Sequence, residues 1–247
     1  MPIFIFFLIQ VNRFEIQNGY RVWDRKVHNI ISLELWITNY GTIGNPLYYP
    51  RGSGQNYIFG AGIWFGAIDS IKLDTMVTVG YCPHSGRAEF APNLYQQIPE
   101  APEAVIYMHP NPWPPPKNLF PTAPQKPFSQ QDSWCCYNDC NTIYHIPNDT
   151  RPIGIEVYQS VYVWNIGFLQ DMAFVVFQIK NVMHNPIKNL YIGFCNDCDI
   201  GNEAGANAND VCWGFKKRQY IIGNDTFFVD NIAFQWQNQP EPGWNEF

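Results

Sequence analysis

Between Pro83 and Pro127 the chain places twelve prolines in 45 residues, three of them consecutive at Pro114 to Pro116. Each proline lacks an N–H and fixes φ, so prolines at this density are expected to forbid ladders through this stretch. A structureless segment of this length inside a compact domain is uncommon and usually has a task. Trp113, Phe120 and Phe128 are embedded in it, so it reads as an extended arm lying on a surface, its own or a neighbour's, and not as a free linker. The arm divides one expected sandwich into residues 1–82, a first β part; residues 83–128, the arm; and residues 129–247, a second β part with an Asp-rich loop.

The flanks read as strands. In Asn29 to Tyr40, Leu33, Leu35 and Ile37 alternate with Ser32, Glu34, Trp36 and Thr38, the period of a half-buried strand. Asn56 to Ile68 puts Tyr57, Phe59, Ala61, Ile63 and Phe65 on one face and Gly60, Gly62, Trp64 and Gly66 on the other. The second face is a shallow trough into which another strand or an aromatic ring can come close; a ligand groove is the alternative. Further strands are expected at Thr75 to Tyr81, Ile153 to Trp164, Met172 to Asn181, Asn189 to Cys195, Val211 to Ile222 and Thr226 to Trp236. Gly41 to Gly54, rich in Gly and Pro, reads as a long turn region. Ser129 to Asn138 is the one helix candidate, with Ser129 as cap and Asp132 three residues on. Aromatic residues make up 17% of the 247 residues and charged residues 15%. Many short strands separated by Gly/Asn/Pro turns, and little helical vocabulary, predict an all-β, mostly antiparallel sandwich or jelly-roll-like fold.

A net charge of −6 with scattered Lys and Arg argues against a dedicated nucleic-acid binder and against anionic membranes as partners. Met1 to Val11, MPIFIFFLIQV, is too short for a membrane span. It has no preceding basic residues and no following small-residue cleavage site, so a complete signal peptide is not expected. Ile3, Ile5, Phe7 and Ile9 with their apolar neighbours read instead as a strand buried on both faces. It belongs either to its own sheet or, donated, to a neighbouring subunit.

The best local signal for chemistry is Cys195 to Asp210, CNDCDIGNEAGANAND. Asp197 and Asp199, with Asn202 and Asp210 after the Gly201 turn, supply oxygens suited to a hard cation, and calcium is the expected structural metal. A solvated Asx-rich turn is the alternative, and the spacing is not that of an EF-hand. Seven cysteines make an odd count, leaving at least one without an intrachain partner. Cys195, Cys198 and Cys212 lack a histidine to complete a zinc tetrahedron, so disulfides are expected, Cys198 to Cys212 and Cys135 or Cys136 to Cys140 being the candidates. His28, His84, His109, His145 and His184 are isolated and read as surface or loop histidines. No H-E-x-x-H, G-x-S-x-G or phosphate loop is present, and the expectation is that the chain is not an enzyme.

Five segments in series carry a resemblance: Leu35 to Gly44, LWITNYGTIG; Tyr49 to Gly54, YPRGSG; Tyr57 to Ile68, YIFGAGIWFGAI; Arg151 to Val157, RPIGIEV; and Tyr191 to Gly201, YIGFCNDCDIG. In that order the chain resembles a family of exported, β-rich surface proteins of Gram-negative bacteria, without assigned activity and often carrying a type IX-like sorting domain. The resemblance implies an extracellular or cell-surface location and a metal loop at Asp197 to Gly201; neither a leader nor the sorting domain is expected in this chain. Together these features predict a structural subunit of a surface assembly such as a filament or sheath. Its copies would be joined by strand or arm exchange, with Ile3, Ile5, Phe7, Ile9, Trp113 and Phe120 at the contact. A calcium-dependent glycan-binding module is the alternative. Exposure of Trp113 and Trp64 separates the two.

Overall fold

The structure, a computed structural model, describes residues 22–69, 73–183, 185–198, 210–222 and 225–237. Two antiparallel sheets face each other. In the first, β1 (Arg25–His28), β2 (Glu34–Thr38), β3 (Thr42–Tyr48), β4 (Gly60–Ile68) and β11 (Tyr191–Asp197) lie side by side in that order, and β5 (Thr75–Val79) also pairs with β4. In the second the order is β10 (Phe174–Asn181), β9 (Ile155–Val163), β8 (Gln131–Asn138) and β6 (Ala91–Pro92), with β7 (Tyr107–Met108) also on β8. A hairpin of β12 (Asp210–Ile222) and β13 (Asp225–Gln237) pairs with itself. Among the described residues no helix reaches seven residues and none is long and apolar enough to cross a membrane. The chain is all-β, as its alternation predicts.

Alternation dictates which residues meet between the sheets. Leu35, Ile37, Ile43, Ile63 and Phe65 come from the first sheet; Cys135, Tyr137, Ile155, Val157, Val161 and Val163 come from the second, and all are buried in one cluster. Each fully buried aliphatic or aromatic side chain contributes about 1.5–3 kcal/mol. The glycine trough is filled by a ring. A Cβ on Gly60 would stand 2.3 Å from the Tyr81 ring, and one on Gly62 would stand 2.6 Å from the backbone nitrogen of Tyr81. Tyr81 is fully buried, and its carbonyl accepts the Trp64 indole N–H at 2.7 Å.

Three local expectations are corrected. Ser129 to Asn138 is not a helix, because Gln131 to Asn138 forms β8, whose eight residues are all buried. Asp132 does reach back as a cap would, accepting from the backbone N–H groups of Phe128 and Ser129. What it fixes is the turn that enters a strand. Within Gly41 to Gly54, Thr42–Tyr48 is a strand. Leu35 to Ile37 spans the same stretch as Leu47 to Ile43, so Gly44, Asn45 and Pro46 sit in a bulge opposite Trp36. The proline-rich segment also joins ladders, in two-residue pieces: Ala91 and Pro92 pair with Asn138 and Tyr137, and Tyr107 and Met108 with Trp134 and Ser133.

The segment also builds a second core on the outer face of β8. Tyr107, Phe120, Ala123, Trp134 and Cys136 are buried there together, with Trp113 packed against them. Phe120 is only 1% exposed, its ring centroid 5.1 Å from that of Trp134. Phe120 and Trp113, expected at a contact between copies, therefore anchor the segment to its own sheet. The two-faced strand expected at Ile3, Ile5, Phe7 and Ile9 lies outside the described residues.

Candidate functional site

One cluster of polar groups capable of acid–base chemistry is sealed inside the fold. Asp139 accepts from the backbone N–H groups of Ile153, Gly154 and Ile155 at 2.6, 2.9 and 2.8 Å, and from the Thr78 hydroxyl at 2.9 Å. Burial pushes its carboxyl up, and the donors from Ile155, Ile153, Thr78 and Gly154 pull against that. Beside it Glu89 accepts from Val79 N–H and from the Thr150 hydroxyl. Nε2 of His145 lies 2.8 Å from the Asp139 carbonyl, and its Nδ1 lies 3.9 Å from Glu89. Asp139 and Glu89 are 0% exposed and His145 3%, so no substrate reaches them. They tie the connections around β5, β8 and β9 together.

His28 and Ser133 make a second sealed pair, Nε2 to Oγ at 2.8 Å, at 0% and 1% exposure. Burial lowers the His28 pKa from 6.5 to about 4, against a smaller upward contribution from Gln131. The expectation that the histidines are surface or loop residues is thus corrected for His28, a buried strand residue whose partner is distant in sequence; His145 is a loop residue, though a buried one. His84 is exposed and His109 half-buried; His184 lies outside the described residues.

The cysteine expectation is corrected as well. Cys135 and Cys136 are neighbours on β8, so they point to opposite faces; Cys135 belongs to the core between the sheets and Cys136 to the second core. Neither is bridged to Cys140, whose thiol rests 3.8 Å from Oδ1 of Asp139. Burial is the largest cause raising the pKa values of all three thiols. The pairing of Cys198 with Cys212 lies outside the description, because the Cys212 side chain is not described.

Of the expected metal ligands, Asp197 ends β11, and its Oδ2 accepts the Tyr81 hydroxyl at 2.7 Å. Asp199 and Asn202 lie outside the described residues, and Asp210 opens β12 with its side chain undescribed. Among the described residues no group of three or more His, Cys, Asp and Glu side chains could hold a metal ion.

Among the described residues, exposed apolar side chains gather along one side of the sandwich. Among the described residues β10 pairs only with β9, and β11 only with β4, so each is the last strand of its sheet. Ile192 and Phe194 stand opposite Phe65 and Ile63 in the β4–β11 register, which turns them toward the core. Phe65 and Ile63 are buried, yet Ile192 and Phe194 are 55% and 52% exposed. Phe177 of β10 reaches toward Phe194, ring centroids 6.3 Å apart. Among the described residues, nothing closes the core between the two edge strands. No charged residue occurs from Met172 to Ile179 or from Tyr191 to Cys195, although edges are ordinarily guarded by charge, proline or a covering element.

On the outer face of the same edge, Phe128, Tyr162, Trp164, Leu169, Phe174 and Val176 line an apolar groove of about 420 Å³. Phe128 meets Tyr162 and Trp164 edge-on, with centroids 5.4 and 5.6 Å apart, and Trp164 meets Phe174 at 5.6 Å. Trp64 and Trp113 are both half-buried and form no part of this platform. Sequence reasoning missed these edge residues. Their one signal was the uncharged run Met172 to Ile179, apolar on both faces but for Gln178.

No protein-family model, no curated protein and no solved structure matches the chain.

Proposed function

We propose that the protein is a non-enzymatic structural subunit of an extracellular or cell-surface assembly, such as a filament or sheath, whose copies join along the open side of the sandwich. The observation that carries this reading is the exposure of Ile192 and Phe194 at core-facing positions beside β10, which among the described residues pairs on one side only and carries no charge from Phe174 to Ile179. An apolar edge of this kind favours pairing with another chain. The resemblance to exported surface proteins supports the location. Light scattering on a sizing column is the test. The wild type is expected to associate at tens of micromolar, as an order of magnitude for contacts of modest size, and the double variant Ile192→Glu/Phe194→Glu to remain a folded monomer. A wild type that stays monomeric at high concentration overturns the reading.

The aromatic groove favours one second reading, a glycan-binding module, because exposed rings give sugars a stacking face. Calcium held by Asp197, Asp199, Asn202 and Asp210 remains part of the proposal, supported by the D-x-D-x-G-N order and by the place of Asp197 at a strand end. Melting with and without a chelator checks it. The wild-type midpoint is expected to fall on chelation and that of Asp199→Ala to be indifferent; an unchanged midpoint in both rejects the site.

A further inference from the structure

We infer that a cavity on the outer face of the first sheet, bordered by Trp23, Tyr40, Arg25 and Arg87, binds a pyranose that carries a carboxylate, that is, a uronate residue of an acidic glycan. It lies on the other sheet from the aromatic groove described above, and it does not depend on whether copies of the chain assemble.

Strand alternation builds the site. In the pairing of β1 with β2, Arg25 stands opposite Thr38, on the face turned away from Leu35 and Ile37 of the core. The pairing runs on past the strand ends, where the Asn39 N–H reaches the Asp24 carbonyl at 3.3 Å. The next pair on that outer face is therefore Trp23 with Tyr40, and their rings meet edge-on with centroids 4.4 Å apart. An indole and a guanidinium so placed are two residues apart, about 7 Å along one chain. Thr42 and Asn45 of β3 extend the floor, and Gly86 to Ala88 form a side wall, around a cavity of about 260 Å³. Trp23 is 58% exposed, so a ligand can reach its ring.

Charge selects an anion. The two charged residues that line the cavity, Arg25 and Arg87, are both cations. Among the described residues neither is ion-paired with a carboxylate, although the chain as a whole is acidic at −6. Neighbours fix where each guanidinium sits. Arg87 donates Nε and Nη2 to the Tyr144 carbonyl at 3.0 and 2.6 Å. Arg25 donates Nη2 to the Asn45 carbonyl, and its Cζ stands 4.7 Å from the centre of the Trp36 ring. A guanidinium carries more N–H donors than these contacts use, and a planar carboxylate matches its fork.

The rings select a sugar. The C–H face of a pyranose packs on an exposed indole, and the exposed amide of Asn45 can both donate to and accept from hydroxyl groups. A simple carboxylate would engage the arginines alone and a neutral sugar the rings alone. A uronate engages both.

Isothermal titration calorimetry of the full chain at constant ionic strength compares sodium galacturonate with galactose, acetate and sulfate. Galacturonate is expected to bind in the millimolar range, roughly tenfold or more tightly than each of the other three. Arg25→Gln is expected to lower its affinity to that of galactose, and Trp23→Ala to that of acetate, with folding confirmed by circular dichroism.

Galactose bound as tightly as galacturonate overturns the part given to the arginines. Acetate or sulfate bound as tightly leaves an adventitious anion site only and overturns the sugar. Absence of binding by all four overturns the site, as does either folded variant binding galacturonate like the wild type. Should a variant fail to fold, the indole N–H resonances of the nitrogen-labelled wild type decide. An indole signal that galacturonate shifts and acetate leaves in place supports the site, and indole signals indifferent to galacturonate overturn it.

Discussion

Asp139→Ala is expected to lower stability by about 3–5 kcal/mol, because three backbone N–H groups and the Thr78 hydroxyl lose their shared acceptor in a fully buried site. Each donor left without a partner costs about 1–3 kcal/mol, and the sum is moderated by relaxation of the Ile153 to Ile155 backbone. Against a typical total of about 5–15 kcal/mol, the variant stands near the threshold of folding. The damage is predicted to be local in origin and global in effect, since Ile153 and Ile155 belong to the core between the sheets. Urea unfolding monitored by tryptophan fluorescence measures it, and a loss below about 1 kcal/mol contradicts the role assigned to this carboxylate.

The second large effect is on pH dependence and comes from His28, whose burial holds the imidazole neutral with a pKa of about 4 in place of 6.5. Above pH 6.5 the ring is neutral in both folded and unfolded chains, and its contribution is complete. As pH falls from 6.5 to 4 the unfolded chain takes up a proton that the folded chain refuses, so stability drops with falling pH across that window. A shift of this size is worth roughly 3 kcal/mol at about 1.4 kcal/mol per unit. Carboxylates titrate in the same range, so the difference between wild type and His28→Gln isolates the histidine. The stability advantage of the wild type is expected to shrink by about 3 kcal/mol between pH 7 and pH 4. A difference independent of pH contradicts the assignment.

Legibility in the sequence followed the reach of each interaction. Ile155 to Val163 announced its strand because inward valines alternate with outward tyrosines, a pattern complete within nine residues. Strand β8 gave no such sign. Its sequence QDSWCCYN looks like a capped, polar segment, and its polar side chains make sense only beside partners far away: Gln131 accepts from Asn29 N–H, Ser133 meets His28, and Asn138 donates to the Asn93 carbonyl. The proline-rich segment was legible as an anchored arm, but not as a second core, because the ring that seats Phe120 belongs to Trp134 on a strand read as helix. The open edge was the least legible feature. Strand order is set by which chain segments meet, and β11 joins β4 from more than a hundred residues away in sequence.

The two adjacent thiols of β8 carry a practical consequence. Cys135 is 1% exposed and faces the space between the sheets; Cys136 is 5% exposed and faces the proline-rich layer. One residue apart in sequence, they sit in separate compartments that a labelling reagent enters only when the corresponding layer lifts. Their alkylation rates time two events on a single strand, the peeling of the proline-rich layer and the parting of the sheets, and so distinguish a fold that opens layer by layer from one that opens all at once.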